Sequence, residues 1–157
     1  MPSARSIAGM LAFALAPCAW LAEPAKAAAP RGDAVRCLAL AMYWEARMEG
    51  REGMLAVASV VLNRRDHPEF PDTVCGVVTQ GGETPPCQFS WWCDGKSDLP
   101  TEAKAWRQAE RLAAEVLERP PRDRTGGALF FHATSLADPW HVERPRSARI
   151  GRHIFYR

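Results

Sequence analysis

Leu38, Ala41 and Met42 stand at positions i, i+3 and i+4 of an apolar helical stripe, and the next member, i+7, is Glu45. A carboxyl group on such a face loses the hydration of its charged form, so its pKa is expected to rise. A carboxylic acid that keeps its proton near neutral pH is what protonation of a glycosidic oxygen requires. Tyr43 and Trp44, beside it in sequence, add flat rings suited to sugars. The competing reading pairs Glu45 with Arg47 or Arg51 at the end of the helix. Glu49 and Glu52 are the other acids nearby. Glu49 would lie one turn above Glu45 if the helix continued, and a retaining glycosidase needs a second carboxylate about 5 Å from the first. The alternative is a polar turn, with Glu52 favoured near a helix start by the backbone dipole.

A second group of candidates lies in Cys87-Gln-Phe-Ser-Trp-Trp-Cys-Asp-Gly. Gln88, Phe89, Ser90 and Trp91, with Trp140 farther on, could line a saccharide groove, the aromatic rings stacking on sugars and the amide reading acetamido groups. Strand-like alternation would set Gln88 and Ser90 on one face and Phe89 and Trp91 on the other. His132, His141 and His153 raise a metal hypothesis, but none has a helical ligand spacing such as H-E-x-x-H. His132, next to Phe130 and Phe131, reads equally as a half-buried ring bonded to backbone or to a neighbour. No phosphate loop, nucleophile elbow or Cys/His pair with motif spacing occurs, and no cofactor is called for.

The elements that must position these groups follow from pattern and punctuation. Asp33 is the expected cap of a helix over 34–47, and Gly50 suits a chain reversal after it. A second helix is expected over 51–64, so apolar on all sides that it reads as the central one, packed against the first as a hairpin. Asp72 is the expected cap of a short helical turn ending near Val78, and residues 87–95 read as a short strand or hairpin. A third long helix, capped by Thr101, runs to about Glu118, where Pro120-Pro121 stops it. Residues 127–133 form a short buried strand, 135–147 an irregular loop, and the apolar tail 149–157 docks as a strand. The fold class is α+β, mainly helical with a small irregular antiparallel sheet.

The chain is 157 residues long with net charge +2, enough for a single core and without the basic excess of a nucleic-acid-binding module. Residues 1–27 read as a secretion signal peptide: Arg5 begins it, an apolar run from Ile7 to Leu21 follows, and Ala25 and Ala27 frame the cleavage site, with a retained membrane anchor as the alternative. Removing Arg5, Glu23 and Lys26 leaves a domain over 28–157 with net charge +1 and no membrane insertion of its own. Four cysteines remain in that domain: Cys37, Cys75, Cys87 and Cys93. An even count in an exported domain implies disulfides, with three possible pairings. The Cys87-x5-Cys93 spacing suits a local bridge, which would leave Cys37 with Cys75. Export to the periplasm or cell envelope is the expected location.

Several segments together resemble the SleB-type cell wall hydrolases, the catalytic domain of spore cortex-lytic enzymes. They are CLALAMYWEARMEGREGMLAVASVVLNR (37–64), FPDTVCGVV (70–78), CQFSWWCDG (87–95), GALFFHA (127–133) and ARIGRHIFYR (148–157). The resemblance implies a lysozyme- or transglycosylase-like α+β domain acting on peptidoglycan. It implies too that the first Glu of the family's E-A-R-G-E motif, which maps onto Glu45, is catalytic. Met48 stands where the family has Gly, so strain is expected there if the backbone needs a positive φ. The expectation is therefore a monomeric peptidoglycan-cleaving enzyme with Glu45 as general acid and base. Tyr43, Glu49, Gln88, Phe89, Ser90, Trp91, His132 and Trp140 are the candidate contacts to substrate, and a regulatory protein partner stays open. The rival readings are a non-catalytic peptidoglycan-binding module and a metal-dependent amidase.

Overall fold

The computed structural model describes residues 31–137 and 144–157. The signal segment, Trp140 and His141 lie outside the described residues. Helix α1 (Arg31–Ala46) runs into a 3₁₀ turn at Arg47–Glu49, and α2 (Gly50–Arg65) returns alongside it. Then come α3 (Val74–Val78), a 3₁₀ turn at Ser90–Cys93 and α4 (Ala103–Glu118). Strands β1 (Phe130–Ala133), β2 (Arg146–Ile150) and β3 (His153–Tyr156) form an antiparallel sheet in the order β1-β3-β2. The mainly helical α+β class is therefore observed, and the C-terminal tail, expected as a single strand, turns at Gly151-Arg152 between the end of β2 and the central strand β3. Residues 146–147, expected in a loop, begin β2, with a register shift between Arg146 and Ala148.

The central helix is α1 rather than α2. Every side chain from Leu38 to Tyr43 is buried, because α2, α3 and α4 all pack on it. Helix α2 lies between two apolar clusters: Met54, Val57 and Val61 face α1, while Ala56 and Val60 meet Ala128 and Phe155 under the sheet. That two-sided burial is why its apolarity encircles it. Helix α4 buries Ala109, Leu112, Ala113 and Val116, an i, i+3, i+4, i+7 face.

The helix starts differ from expectation for physical reasons. α1 begins at Arg31, so Asp33 lies within its first turn rather than capping it. Thr73, not Asp72, caps α3, accepting a bond from the Gly76 N–H at 3.0 Å. The start of α4 is held by the buried Tyr43 hydroxyl, which accepts from the Thr101 and Glu102 N–H groups at 3.1 and 3.0 Å. A core side chain thus satisfies two donors at the entry to α4, and Thr101 does not serve as the cap.

Cys37 is bonded to Cys75 and Cys87 to Cys93, with Cα separations of 5.3 and 6.2 Å. The second bridge explains why residues 87–93 are not the expected strand. Extended chain of that length would span about 20 Å, so closing the loop curls it into the 3₁₀ turn. The alternation survives nonetheless: Gln88 and Ser90 are exposed, Phe89 and Trp91 buried. Among the described residues no helix is long and apolar enough to cross a membrane.

Candidate active site

Glu45 sits in the last turn of α1, half-buried, where two cavities meet. The larger, about 440 Å³, is walled by Phe89, Phe130 and Phe131, with Gln88 and Ser90 at its edge. The smaller, about 300 Å³, is bordered by Glu49, Thr134, Ser135 and Arg152. Burial raises the Glu45 pKa from its ordinary 4.5 to about 7, opposed by the Trp91 indole and by the charge of Arg64. The Trp91 N–H is buried and forms no well-aligned hydrogen bond, so its opposition is incomplete. The competing pairing of Glu45 with Arg47 or Arg51 is not what the structure contains: Arg47 bonds Glu102 at 2.7 Å, and Arg51 lies 3.4 Å from Glu115.

The surrounding candidates divide by burial. Gln88, Phe89, Ser90 and His132 share the larger cavity with Glu45. Tyr43 does not reach either cavity: its ring is wholly buried and its hydroxyl is engaged at the start of α4, so it is a core residue rather than a sugar platform. Trp91 is buried against Trp44, the rings 6.4 Å apart and nearly parallel, and acts on Glu45 from below the surface. His132 donates from Nδ1 to the Ala133 carbonyl at 2.8 Å, and in the neutral ring Nε2 accepts from the Tyr156 hydroxyl at 2.8 Å. Among the described residues no three His, Cys, Asp or Glu side chains converge as a metal-ligand set.

Glu49 is not the solvated turn that its local sequence suggests. Its side chain is 8% exposed. Oε2 accepts from the Arg152 N–H at 3.0 Å, and Oε1 lies 3.1 Å from His153 Nδ1. The 3₁₀ turn that carries it reaches the β2–β3 turn in this way. Met48 in that turn is exposed and unstrained: among the described residues only glycines have positive φ, and the left-handed position here is Gly50 at +64°.

One residue of the site, Arg64, has no place in the expectations from sequence, and His153 enters them only as a metal-ligand candidate. Arg64 continues the stripe Met54, Val57, Val61 and is 4% exposed, yet it lines the larger cavity. Its Nε donates to the Leu129 carbonyl at 2.6 Å, and its guanidinium lies 5.3 to 5.6 Å from the centres of the Phe70, Phe89 and Phe130 rings. Burial lowers its pKa to about 10, with Glu45 acting in the other direction. The periodicity that singled out Glu45 also marks Arg64. His153, a metal-ligand candidate by sequence, instead alternates inward with Phe155 along β3, and burial holds its pKa below the ordinary 6.5.

The comparisons with known proteins bear on the family and the fold. The profile of the family described as Cell Wall Hydrolase matches residues 48–156. A spore cortex-lytic enzyme of Halalkalibacterium halodurans is 35% identical over 122 residues, covering 77% of this chain and 34% of that protein. The spore cortex-lytic enzyme of Bacillus subtilis is 34% identical over 121 residues, covering 77% of this chain and 36% of that one. The chain thus spans only about a third of the length of these relatives. Among solved structures, the catalytic domain of the Bacillus cereus SleB protein superposes with TM-score 0.61 at 34% identity, covering 80% of this chain and 91% of that one. The catalytic domain of the germination-specific lytic transglycosylase SleB from Bacillus anthracis gives TM-score 0.63 at 33% identity, over 82% and 99%. The match of fold, of segments in order and of family profile makes this chain a member of the cell wall hydrolase family.

Proposed function

We propose that this protein is an exported enzyme that cuts the glycan strand of peptidoglycan as a lytic transglycosylase, with Glu45 as its general acid and then its base. The observation that carries the reading is a carboxyl group with pKa about 7 at the junction of two cavities, where a polymer could lie across it. At neutral pH a large share of Glu45 is protonated. It gives that proton to the glycosidic oxygen as the bond to the muramoyl C1 breaks, and an oxocarbenium-like centre develops. The muramoyl C6 hydroxyl then closes on C1, and its proton ends on the ionised Glu45. One carboxyl group suffices for the cycle. The Bacillus anthracis neighbour, a germination-specific lytic transglycosylase, supports the reaction class, and the resemblance of the segment holding Glu45-Ala-Arg to the family motif supports Glu45 as its acid. The two disulfides support an oxidising location such as the periplasm or envelope.

Glu45→Gln tests the assignment. The variant should bind purified sacculi as the parent does and release no soluble fragments. Release at the parental rate would remove Glu45 from the mechanism.

A further inference from the structure

We infer that Glu49 and His153 form a proton relay in the same site, in which His153 receives the proton of the hydroxyl that attacks C1 and passes it on to Glu45. The inference deepens the transglycosylase reading and rests on it. Glu45, His153 and Ala133 are the residues common to both cavities, so His153 borders the same junction as the acid.

The construction around Glu49 is more than a surface contact needs. A buried carboxylate is costly unless it is bonded, and this one is bonded to the Arg152 N–H and set against His153 Nδ1. Two glycines make room for it. A Cβ on Gly53 would lie 2.5 Å from the Glu49 Cβ, and one on Gly151 would overlap Glu49 Oε2. Nδ1 lies 3.1 Å from Oε1 without an aligned hydrogen bond, and a hydrogen on Nδ1 is the tautomer that the charge of the carboxylate favours. Nε2 is then left with its lone pair, the state in which an imidazole takes a proton from a hydroxyl.

The charged and titratable groups around His153 come from every neighbouring element. Glu49 on the 3₁₀ turn favours the imidazolium; Arg152 on the β2–β3 turn and His132 on β1 disfavour it. Glu45 from α1 and Arg64 from α2 share the larger cavity with it. Burial is the dominant influence: it lowers the pKa of the ring and so favours its neutral form, while it raises that of Glu45 to about 7 and so leaves a large share of it protonated at pH 7. Two neighbouring groups pushed apart in this way are poised as base and acid.

The step balances. The C1 bond to the leaving oxygen breaks, and that oxygen takes the Glu45 proton. The C6 oxygen bonds to C1, and its hydrogen moves to Nε2, giving an imidazolium paired with Glu49. That proton then returns to the Glu45 carboxylate, so no net proton is consumed.

The test is the pH profile of sacculus cleavage by the parent, His153→Gln and Glu49→Gln, with Glu45→Gln beside them. The parent should give a bell whose acid limb lies below pH 6.5 and whose alkaline limb lies near 7. His153→Gln should lose the acid limb and fall about 100-fold in kcat. Glu49→Gln keeps an acceptor for the Arg152 N–H but loses the charge, so its acid limb should move to lower pH. A structural staple would leave the limbs where they are. Because His153 is buried and its replacement also disturbs packing, the parent's imidazole nitrogens should be read by ¹⁵N NMR as well: an Nδ1–H tautomer at pH 7 is expected, and an Nε2–H tautomer overturns the relay. A silent Glu45→Gln beside a His153→Gln variant with the parental rate and acid limb would sink the relay alone. A fully active Glu45→Gln would sink the transglycosylase reading together with it.

Discussion

Replacing Glu45 by glutamine should end activity and, above neutral pH, make the protein more stable. The folded state holds this carboxyl at a pKa of about 7, against an ordinary value of 4.5. Between those values the unfolded chain has already released the proton that the folded protein still binds, so stability falls as pH rises through that window. Below about pH 4.5 both states are protonated and no penalty exists; above about 7 the penalty is complete. At about 1.4 kcal/mol per pKa unit, the difference comes to about 3 kcal/mol. Glutamine has the same shape, carries no charge to desolvate, and keeps an oxygen toward the Trp91 indole. In a domain of this size, 3 kcal/mol corresponds to roughly 10 °C in Tm. Thermal melts of parent and variant at pH 4.5 and pH 8 make the comparison. The variant should melt well above the parent at pH 8 and close to it at pH 4.5. Coincident melts at pH 8 would refute the buried-charge argument. An equal gap at both pH values would assign the effect to packing instead of ionisation.

Arg64→Gln removes the cation that opposes the rise in the Glu45 pKa, so the alkaline limb of activity should move upward, whereas Arg64→Lys should hold it near the parental position. The same glutamine variant leaves the Leu129 carbonyl without its 2.6 Å donor and should lose about 2 kcal/mol in urea unfolding. Replacing Cys37 and Cys75 together by serine opens a bridge across 38 residues and should lower stability by about 4 kcal/mol, read as a shift of the thermal midpoint. Gly53→Ala drives a methyl group into Glu49 and should cost about 1–3 kcal/mol, with sacculus cleavage falling as Glu49 is displaced from Arg152 and His153.

What was legible in the sequence was local. The i, i+3, i+4, i+7 stripe of α1 exposed Glu45 as an acid among apolar residues, and a stripe obeys the same geometry in any fold. Arg64 obeys it too, at the end of the stripe on α2, but a basic residue in a last turn is so readily explained by the helix dipole that the pattern passes unremarked. Glu49 could not be read locally, because its backbone partner Arg152 is 103 residues away. Tyr43 misled for a related reason: next to an acid in sequence it suggests a sugar platform, but it faces the start of α4, and only the packing of α1 on α4 reveals that. The 87–93 segment kept its alternation and lost its strand because a local disulfide outweighs the extended preference of its aromatic residues.

If a protonated Glu45 at the cavity junction breaks the glycan strand and the muramoyl C6 hydroxyl completes the reaction, the products carry the mark of it. Mass analysis of the soluble products from purified sacculi tests it most directly. The account requires 1,6-anhydromuramoyl ends from the parent and none from Glu45→Gln; products carrying reducing ends alone, or fragments cut only in the peptides, would contradict it.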